Sequence, residues 1–397
     1  SLNQLLDPQQ VGDPYPLYHR LRTEDPVHWD PYLPGWVVTR YADCVHVFQH
    51  FSAERAMTPE QWAAMGMESL SPIARVMVKQ MLFMDPPAHT RIRTLASAAF
   101  TPHRVERLRD HIQDIVDRLL EPVVQRRRLD VIADLAYPLP AIVSAEMLGV
   151  PTEDWPKLIT WSEDFAAVLG NFQHDLARAA RVLRSLEEMT EYFRGHMRRG
   201  LESPGEGLVS ALANAEVAGE RLTEEEVVAN CIVTMVGGQE TTTNLIGNGV
   251  LTLLRHRDQL ERLRADLSLV PSAVEEMLRY EAPSQRTARV APHDLELGGR
   301  QIRRRQGVIA VVGAANRDPE RFPDPDRFDI TRSDNRHLAF AWANHYCFGA
   351  PLARLEGQIT FSALMRQMPE MELEPGAVLN WRDNPGLRGL LSLPVRF

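Results

Sequence analysis

The longest regular pattern of apolar and polar residues runs from Leu222 to Arg255 and predicts a helix. Thr223 and Glu226 form the T-x-x-E pattern of a capping box, which marks the start of a helix. At about 1.5 Å per residue, roughly thirty residues would reach ~45 Å, enough to cross the whole molecule. The sequence therefore predicts one long central helix that crosses the molecule.

Helical spacing of apolar residues also dominates the rest of the first half of the chain. Residues 51–80 are the exception because their pattern is irregular, and both a functional loop and an ordinary excursion stay open there. The other predicted helices lie at residues 104–122, at Ala141–Leu148, and at 156–200, where two helices are divided near Asn171–Phe172.

Patterns typical of β-strands are short and mostly come late. A strand is predicted from Trp36 to Thr39, residues 295–318 predict a hairpin followed by a buried strand, and residues 386–397 predict short strands. We therefore expect a mainly α fold with a small β-rich lobe. No linker, low-complexity tract or repeat divides the 397 residues, so one large domain is compatible with the pattern.

Composition excludes some classes of function. The net charge of −9 argues against a general nucleic-acid binder. Three basic clusters predict either solvated surface or docking patches for an acidic partner: Arg126–Arg128, Arg198–Arg199 and Arg303–Arg305.

Cysteine usage and hydropathy indicate the compartment. Cys44, Cys231 and Cys347 are few and odd in number, which favours a reducing compartment without a disulfide framework. The first residues are polar and lack the regions of a signal peptide. No run of eighteen apolar residues occurs, so no membrane span is expected. We expect a soluble cytoplasmic protein.

The middle of the predicted long helix breaks the local rules of helix formation. Gly237 and Gly238 each cost about 1 kcal/mol relative to alanine in a helix interior. Glu240 and the threonines from Thr241 onward add polar groups to a helix that must be buried. Such conflicts are most often functional, although a kink tolerated for packing is the alternative.

A second candidate is the stretch FAWANHYCFGAPLARLE, residues 340–356. Cys347 lies between a small-residue loop and a helix-forming run that begins near Ala350, where the helix dipole favours a thiolate. A thiolate is a soft anionic donor suited to an oxidisable metal, and His345 could contact an anionic cofactor. An inert thiol is the alternative for any lone cysteine.

Two further pairs lie at helical spacing. His89 and Arg93 are four residues apart, so they share one helix face and are either a solvated pair or a clamp for an anionic group such as a propionate. Glu276 and Arg279 are three residues apart and can form an ion pair, although this pattern also occurs by chance in surface helices.

Four signatures in this order resemble the bacterial cytochromes P-450, the heme-thiolate monooxygenases, over essentially the whole chain. They are HTRIR (89–93), GGQETT (237–242), E-x-x-R (276–279) with PDPDRF (323–328), and the cysteine stretch (340–356). The resemblance implies a predominantly helical, triangular fold with a small β-rich lobe. It also implies a single domain over residues 1–397, with heme b as cofactor.

The resemblance assigns roles residue by residue. Cys347 would be the axial thiolate of the heme iron, and Glu240 and Thr241 would form the acid–alcohol pair that delivers protons through waters. The residues that would hold the heme propionates are His89, Arg93, Arg289 and His345. Those of the buried ion network below the heme are Glu276, Arg279 and Arg327. Those expected to face the substrate are Val233, Val236, Gly237, Gln285, Thr287 and Leu387.

The cysteine stretch departs from the family pattern at Ala341 and Ala343, where glycine is usual, and at Phe348, where an aliphatic residue is usual. Glycines there permit a tight hairpin with positive φ near the sulfur. An alanine forced to positive φ costs of order 1 kcal/mol, or the loop shifts.

The resemblance implies an O₂-dependent monooxygenase that hydroxylates or epoxidises a mostly apolar small molecule, such as a lipid, terpenoid or polyketide. No flavin or iron–sulfur sequence follows Phe397, so electrons from NAD(P)H are expected through a separate ferredoxin or flavodoxin and its reductase. A monomer without nucleic-acid or membrane partners is expected. Oxidative coupling or peroxide-driven oxidation, a non-catalytic heme sensor or binding protein, and a heme-free helical scaffold are the alternatives.

Overall fold

Helices make up 59% of the computed structural model, which describes residues 1–170, 176–217 and 219–397. The expectation of a mainly α chain with small β-sheets is confirmed. The α-helices are α1 (Pro8–Gly12), α2 (Tyr15–Glu24), α3 (Tyr41–His50), α4 (Pro59–Ala64), α5 (Ser71–Met77), α6 (Ala88–Ala99), α7 (Pro102–Glu106), α8 (Arg109–Arg126), α9 (Pro138–Leu148), α10 (Trp155–Gly170), α11 (Leu176–Glu202), α12 (Leu208–Asn214), α13 (Glu224–Arg255), α14 (Arg257–Ala265), α15 (Val270–Tyr280), α16 (Val312–Ala315) and α17 (Ala350–Gln367).

The strands are short, as the sequence predicts. They are β1 (Val27–Asp30), β2 (Gly35–Val38), β3 (Arg128–Asp130), β4 (Glu216–Val217), β5 (Glu220–Arg221), β6 (Thr287–Val290), β7 (Leu295–Leu297), β8 (Arg300–Ile302), β9 (Gly307–Ala310), β10 (Glu372–Leu373) and β11 (Pro394–Arg396).

The chain divides into two compact units. The first unit comprises Ser1–Phe51, Val105–Pro140 and Thr241–Phe397, and the second comprises Ser52–Arg104 and Ala141–Glu240. The long helix α13 contributes its residues up to Glu240 to the second unit and the rest to the first. The single domain expected over residues 1–397 stays a prediction beside this division.

The largest sheet of the first unit has the order β1-β2-β9-β6, in which only the β2–β9 pair is parallel. Val27, Val38 and Val308 of this sheet pack with Cys44 and Phe48 of α3 in one buried apolar cluster. The predicted strand near Trp36 is thus β2, and it lies within the sheet because its neighbours on both sides supply hydrogen bonds.

The predicted hairpin is β7–β8, in which Leu297 pairs with Arg300. Gly298 and Gly299 between them have φ of +57° and +74°. A two-residue turn with positive φ at both positions matches the twist of the flanking strands, and glycine adopts it without a steric penalty. The buried strand that follows is β9, as predicted.

The second unit is helical apart from the short β4–β5 ribbon. Helix α11 packs against α10 and α12, and α12 packs against α6. Residues 51–80, which show no regular pattern, contain the short helices α4 and α5, too short for helical periodicity to identify. The predicted division near Asn171–Phe172 lies outside the described residues, with α10 ending at Gly170 and α11 beginning at Leu176.

The start and length of α13 agree with the prediction. The Thr223 backbone N–H donates to Glu226 Oε2 at 2.9 Å, and the Glu226 N–H donates to Thr223 Oγ1 at 3.2 Å. This reciprocal capping box satisfies two backbone donors that a helix start leaves without partners. The helix then continues through Gly237 and Gly238 for 32 residues.

Among the described residues, one window, Val131–Leu148, is long and apolar enough to cross a membrane by length and composition alone. Its mean hydropathy is 1.4, and 67% of it is buried inside the structure. A mostly buried core helix of a water-soluble protein has the same composition, so this window is weak evidence for a membrane span.

A buried ion pair on α15 holds the segment that precedes the cysteine stretch. Arg279 donates to both carboxylate oxygens of Glu276 at 2.8 Å, and both side chains are fully buried. Arg279 also donates to the backbone carbonyls of Asn316, Pro325 and Arg327. The pair is thus fully hydrogen-bonded, which a buried charge requires.

The second arginine that pairs with Glu276 differs from the one expected. Arg327 contributes its backbone carbonyl, while its side chain is 64% exposed and lies 3.8 Å from Asp329. Arg332, whose side chain is 11% exposed, lies 3.3 Å from Glu276 Oε2 instead. The Arg327 side chain is exposed, whereas the next residue, Phe328, is buried.

We predict that Arg279→Ala lowers the free energy of unfolding by about 3–5 kcal/mol, because it leaves the Glu276 carboxylate buried without its main partner. Arg327→Ala is the matched control, and its exposed pair predicts a loss within about 1 kcal/mol. Urea unfolding followed by circular dichroism measures both. Equal losses in the two variants would contradict the assignment.

Candidate functional site

The cysteine loop, Phe340–Cys347, is folded by its own backbone hydrogen bonds. The Cys347 N–H donates to the Phe340 carbonyl at 2.9 Å, and the Tyr346 N–H donates to the Ala343 carbonyl at 3.0 Å. Helix α17 begins three residues after the cysteine, and the Cys347 carbonyl accepts from the Ala350 N–H at 3.3 Å. The loop therefore places Cys347 at a helix N-terminus, as the sequence predicts.

Both alanines of the loop have left-handed backbone conformations. Ala341 has φ of +58° and Ala343 has φ of +57°, which confirms that this loop requires positive φ where the family pattern has glycine. An L-residue in this region costs roughly 1–2 kcal/mol. Such strain persists only where the surrounding structure fixes the conformation.

The three cysteines differ in exposure. Cys347 is exposed, whereas Cys44 and Cys231 are buried. Burial raises the pKa of the Cys44 and Cys231 thiols, so both remain protonated at neutral pH. A Cβ added at Gly349 would lie 3.8 Å from Cys347 Sγ, which places the sulfur beside the start of α17. Cys347 is therefore the exposed one of the three cysteines, at the start of α17, and its role as a ligand stays a prediction.

An ion pair that the sequence did not single out lies behind this loop. Arg354 donates to Glu275 from Nε at 2.7 Å and from Nη2 at 2.9 Å, and His337 Nε2 lies 3.2 Å from the same carboxylate. Burial alone would raise the pKa of Glu275, but the hydrogen bonds from His337 and Arg354 lower it to about 2. Glu275 directly precedes Glu276, and only the folded contact shows that its partner is seven residues beyond Cys347.

The two adjacent glycines of α13 have opposite surroundings. A Cβ added at Gly238 would lie 2.8 Å from Ser144 Oγ, so this glycine permits close packing. A Cβ added at Gly237 would meet no heavy atom within 4 Å. Gly237 therefore borders open space, and its position facing a substrate stays a prediction.

The side chains around Gly237 define one face of α13. Val233, Gly237 and Thr241 are four residues apart and share that face. Gly237 is exposed and Thr241 is half-buried, while Val233 is 9% exposed. Val236 and Glu240 are each 2% exposed, which gives the Glu240 carboxyl a buried setting.

The threonines that follow Thr241 are placed differently. Thr242 is buried, and the Thr243 hydroxyl donates to the Ala136 carbonyl at 2.7 Å. Thr243 thus anchors the helix within the first unit. Of the three threonines, Thr241 is the one on the open face.

In the second unit, α6 carries His89 and Arg93 on one face, as the sequence predicts. His89 is 2% exposed, and Arg93 Nε donates to Ser97 Oγ at 3.1 Å. Arg91 of the same helix donates to Glu226 of the capping box.

In the first unit, Arg289 lies on β6 and is 2% exposed. Its Nη1 donates to the Ala288 carbonyl at 2.8 Å, and its guanidinium lies over the Phe48 ring at 5.6 Å. His345 is half-buried in a short 3₁₀ turn, Ala343–His345. The structure thus places both residues in the unit that contains Cys347.

The predicted pocket residues on the strands are neighbours. The Gln285 N–H donates to the Gly386 carbonyl at 2.9 Å, beside the Ser284–Leu387 bridge, and both Thr287 and Leu387 are half-buried. Gln285 is 1% exposed, and its Nε2 donates to the Ala282 carbonyl at 2.7 Å. The Gln285 side chain is therefore packed into the unit, and its contact with substrate stays a prediction.

Comparison with known proteins gives a consistent family. The model of the family described as cytochrome P450 matches residues 43–376. The biotin biosynthesis cytochrome P450 of Bacillus subtilis (strain 168) is 39% identical over 391 residues, which cover 98% of this chain and 97% of that protein.

Two solved structures are similar over nearly the full length. P450BioI in complex with acyl carrier protein ligated to hexadec-9Z-enoic acid is 37% identical, with a TM-score of 0.92 and coverage of 98% of this chain and 100% of that chain. Myxobacterial CYP267B1 in complex with myristic acid is 38% identical, with a TM-score of 0.91 and coverage of 100% and 99%.

The lowered pKa of Glu275 predicts an acid-sensitive contribution to stability. Its carboxylate stabilises the folded state fully above its ordinary pKa of 4.5, and this contribution is lost as the pH falls through about 2. We expect the difference in unfolding free energy between the wild type and Glu275→Gln to shrink over that interval. Urea titrations at a series of pH values measure it.

The exposed hairpin residue Glu296 provides the control, because Glu296→Gln should change stability little at any pH. A Glu275→Gln effect that stays constant down to about pH 2 would show that the ion pair does not carry this contribution.

Proposed function

The chain belongs to the cytochrome P450 family, and on that premise we propose that it hydroxylates or epoxidises a long-chain, mostly apolar substrate. Enzymes of this family are heme monooxygenases that use a thiolate-ligated heme, O₂ and electrons from redox partners. The observation that carries the proposal is Cys347, exposed at the start of α17 in a loop with two left-handed alanines.

The donor set of this chain fits heme. A thiolate is the soft ligand that heme monooxygenases require, and the two other cysteines are buried. When bound, heme supplies the O₂ chemistry, and the thiolate donates electron density that favours O–O cleavage. We propose that Cys347 would ligate the heme iron.

Cationic and hydrogen-bonding side chains are proposed to hold the heme propionates. Arg289 and His345 have this role in the first unit, because a guanidinium and an imidazole both donate to carboxylates. The resemblance gives His89 and Arg93 of the second unit the same role. In this proposal, each residue contributes charge and hydrogen bonds and takes no part in bond cleavage.

Glu240 and Thr241 are proposed to move protons. The buried Glu240 carboxyl can take up a proton and pass it on, and the Thr241 hydroxyl can both donate and accept a hydrogen bond on the open face of α13. Gly237, one turn before Thr241, adds no side-chain atoms to that face. We propose that a relay of this kind favours reductase-fed over peroxide-driven oxidation.

A long-chain acyl group is the substrate class we propose. The solved relatives bind a hexadecenoyl group on acyl carrier protein in one case and myristic acid in another. Val233 and Val236 on α13, Leu387, and Thr287 on β6 are the pocket residues we propose, and the three aliphatic side chains would suit an alkyl chain. Gln285 is a weaker candidate because its amide is used in packing.

The remaining parts of the proposal concern partners. We propose a cytoplasmic monomer that receives electrons from NAD(P)H through a separate ferredoxin or flavodoxin and its reductase. The basic clusters, such as Arg303–Arg305, are the proposed contacts for an acidic redox partner, since complementary charge steers association.

We predict that Cys347→Ser abolishes the thiolate-type Soret band of the ferrous–CO complex, whereas Cys44→Ser and Cys231→Ser keep it. In the heme-free chain, an alkylating reagent should label Cys347 ahead of the two buried cysteines, and added heme should prevent that labelling. A wild-type protein without the thiolate-type band would refute the proposed function at its root.

We predict that Thr241→Ala lowers the product formed per electron pair by at least about tenfold, because proton transfer by a positioned group typically contributes about 10²- to 10⁴-fold to a rate. Myristic acid is the first substrate to supply, with a ferredoxin system as the electron source. Thr242→Ala, at the buried neighbour, is the control and should leave this ratio unchanged.

The same assay separates the alternatives. An unchanged product yield in Thr241→Ala would refute the proposed proton relay. Faster turnover with peroxide than with ferredoxin would favour the peroxide-driven reaction. Binding of myristic acid without any product under either condition would favour a heme sensor.

A further inference from the structure

One guanidinium contacts both ends of the cysteine loop. Arg354 Nη1 donates to the Tyr346 hydroxyl oxygen at 3.0 Å, and the Arg354 guanidinium carbon lies over the Phe340 ring at 4.6 Å. Tyr346 directly precedes Cys347, and the Phe340 carbonyl accepts the Cys347 N–H at 2.9 Å. Arg354 therefore contacts one residue that is adjacent to Cys347 in the sequence and one that is hydrogen-bonded to it.

Arg354 is itself held in a fixed orientation. Glu275 accepts two hydrogen bonds from it, at 2.7 and 2.9 Å, in the forked arrangement that arginine makes with carboxylates. His337 Nδ1 lies 3.2 Å from the Ala339 backbone N–H and accepts from it, which leaves Nε2 to donate to Glu275 at 3.2 Å. Glu275 therefore fixes the position of the guanidinium, and His337 holds Glu275 in place.

The strained alanines lie between the two anchors. Ala341 and Ala343 have φ near +58°, whereas a free chain places alanine there rarely. The backbone bond from the Ala341 N–H to the Leu338 carbonyl, at 2.8 Å, fixes only the start of the loop. The contacts of Arg354 with Phe340 and Tyr346 span the segment that contains both alanines.

We propose that Arg354 is a positioning residue for the Cys347 sulfur, which it directs by clamping Phe340 and Tyr346 around the two left-handed alanines. This inference rests on the proposed function, in which Cys347 ligates the heme iron. Groups that orient a ligand tune the metal they serve, so the clamp sets the reduction potential and the retention of the thiolate bond.

A purely structural ion pair predicts something different. Arg354 and Glu275 are 29% and 26% exposed, and a pair near the surface usually contributes little to stability. If the pair only supported the fold, its loss would lower the unfolding midpoint without altering the reduction potential. A change in potential and in the thiolate-type Soret band is therefore the informative readout.

Two variants weaken the clamp to different degrees. Tyr346→Phe removes the hydroxyl acceptor and keeps the ring, at a residue that is 38% exposed and so tolerant of change. Arg354→Lys keeps the charge but loses the fork and the stacking on Phe340. In the heme-loaded protein, some of the ferrous–CO complex has the thiolate bond and some has lost it. Arg354→Lys should lower the ratio of the first form to the second about 5- to 30-fold. Tyr346→Phe should shift the ratio less, in the same direction, and both should shift the reduction potential.

The chain offers a matched control for each variant. Tyr32→Phe changes a tyrosine that is 70% exposed. Arg321→Lys changes an arginine that donates to both oxygens of Asp334 and lies 4.9 Å from the Phe322 ring, and neither partner belongs to the cysteine loop. Neither control should alter the Soret band or the potential.

Glycine provides a rescue test. The double variant Ala341→Gly with Ala343→Gly removes the need to hold alanine at positive φ, since glycine populates this region readily. In that background Arg354→Lys should have little effect on the thiolate ratio, so the double-mutant cycle should show strong coupling. An equal effect of Arg354→Lys in both backgrounds would overturn the proposal.

The outcomes separate the two proposals. A wild type without the thiolate-type band refutes heme ligation by Cys347. If the wild type has the band, and Tyr346→Phe and Arg354→Lys have the same band and the same reduction potential as the wild type, the clamp alone is refuted. If Arg354→Lys fails to fold, Tyr346→Phe tests the clamp by itself. An unchanged reduction potential in Tyr346→Phe would overturn the clamp. A shift in Tyr346→Phe that is absent from Tyr32→Phe would support it.

Discussion

Two adjacent carboxylates on α15, Glu275 and Glu276, must be fully paired because one is buried and the other is half-buried. Glu276 binds Arg279, whose remaining donors hold three backbone carbonyls of the following segment. Glu275 binds Arg354, which contacts the cysteine loop. The pairing of two neighbouring charges on one helix therefore fixes both the segment before the loop and the loop itself.

Local patterns predicted the parts that local physics determines. The capping box at Thr223 marks the start of α13, and two glycines between strands mark the hairpin, because each depends on residues close in sequence. The choice between Arg327 and Arg332 could not be predicted, since both follow the same helix and only the fold decides which side chain reaches Glu276. The short helices α4 and α5 were not predicted, because each spans fewer than two helical turns and so shows no clear helical periodicity.

The candidate site, too, was predictable where it depends on nearby residues or on the family pattern, and unpredictable where it depends on the fold. The sequence identified Cys347, and the family pattern, which has glycine at the positions of Ala341 and Ala343, indicated positive φ there or a shifted loop. The structure has the positive φ at both alanines. Helical pattern alone could not distinguish Gly237 from Gly238, and only the family resemblance assigned Gly237 to the substrate face; in the structure a Cβ added at Gly237 meets open space, whereas one added at Gly238 meets Ser144. Nor could the sequence find the pairing of Glu275 with Arg354, whose partners are far apart along the chain.

The exposure of Cys347 has a consequence for the life of the protein in the cell. A solvent-accessible thiolate is open to stepwise oxidation to sulfenic, sulfinic and sulfonic acid, and the last is irreversible. A sulfenic acid is usually rescued by a nearby thiol, but the other two cysteines of this chain are buried. If Cys347 ligates heme as proposed, a chain that folds before it acquires its cofactor would risk permanent oxidation of that sulfur, and a prompt supply of heme would protect it.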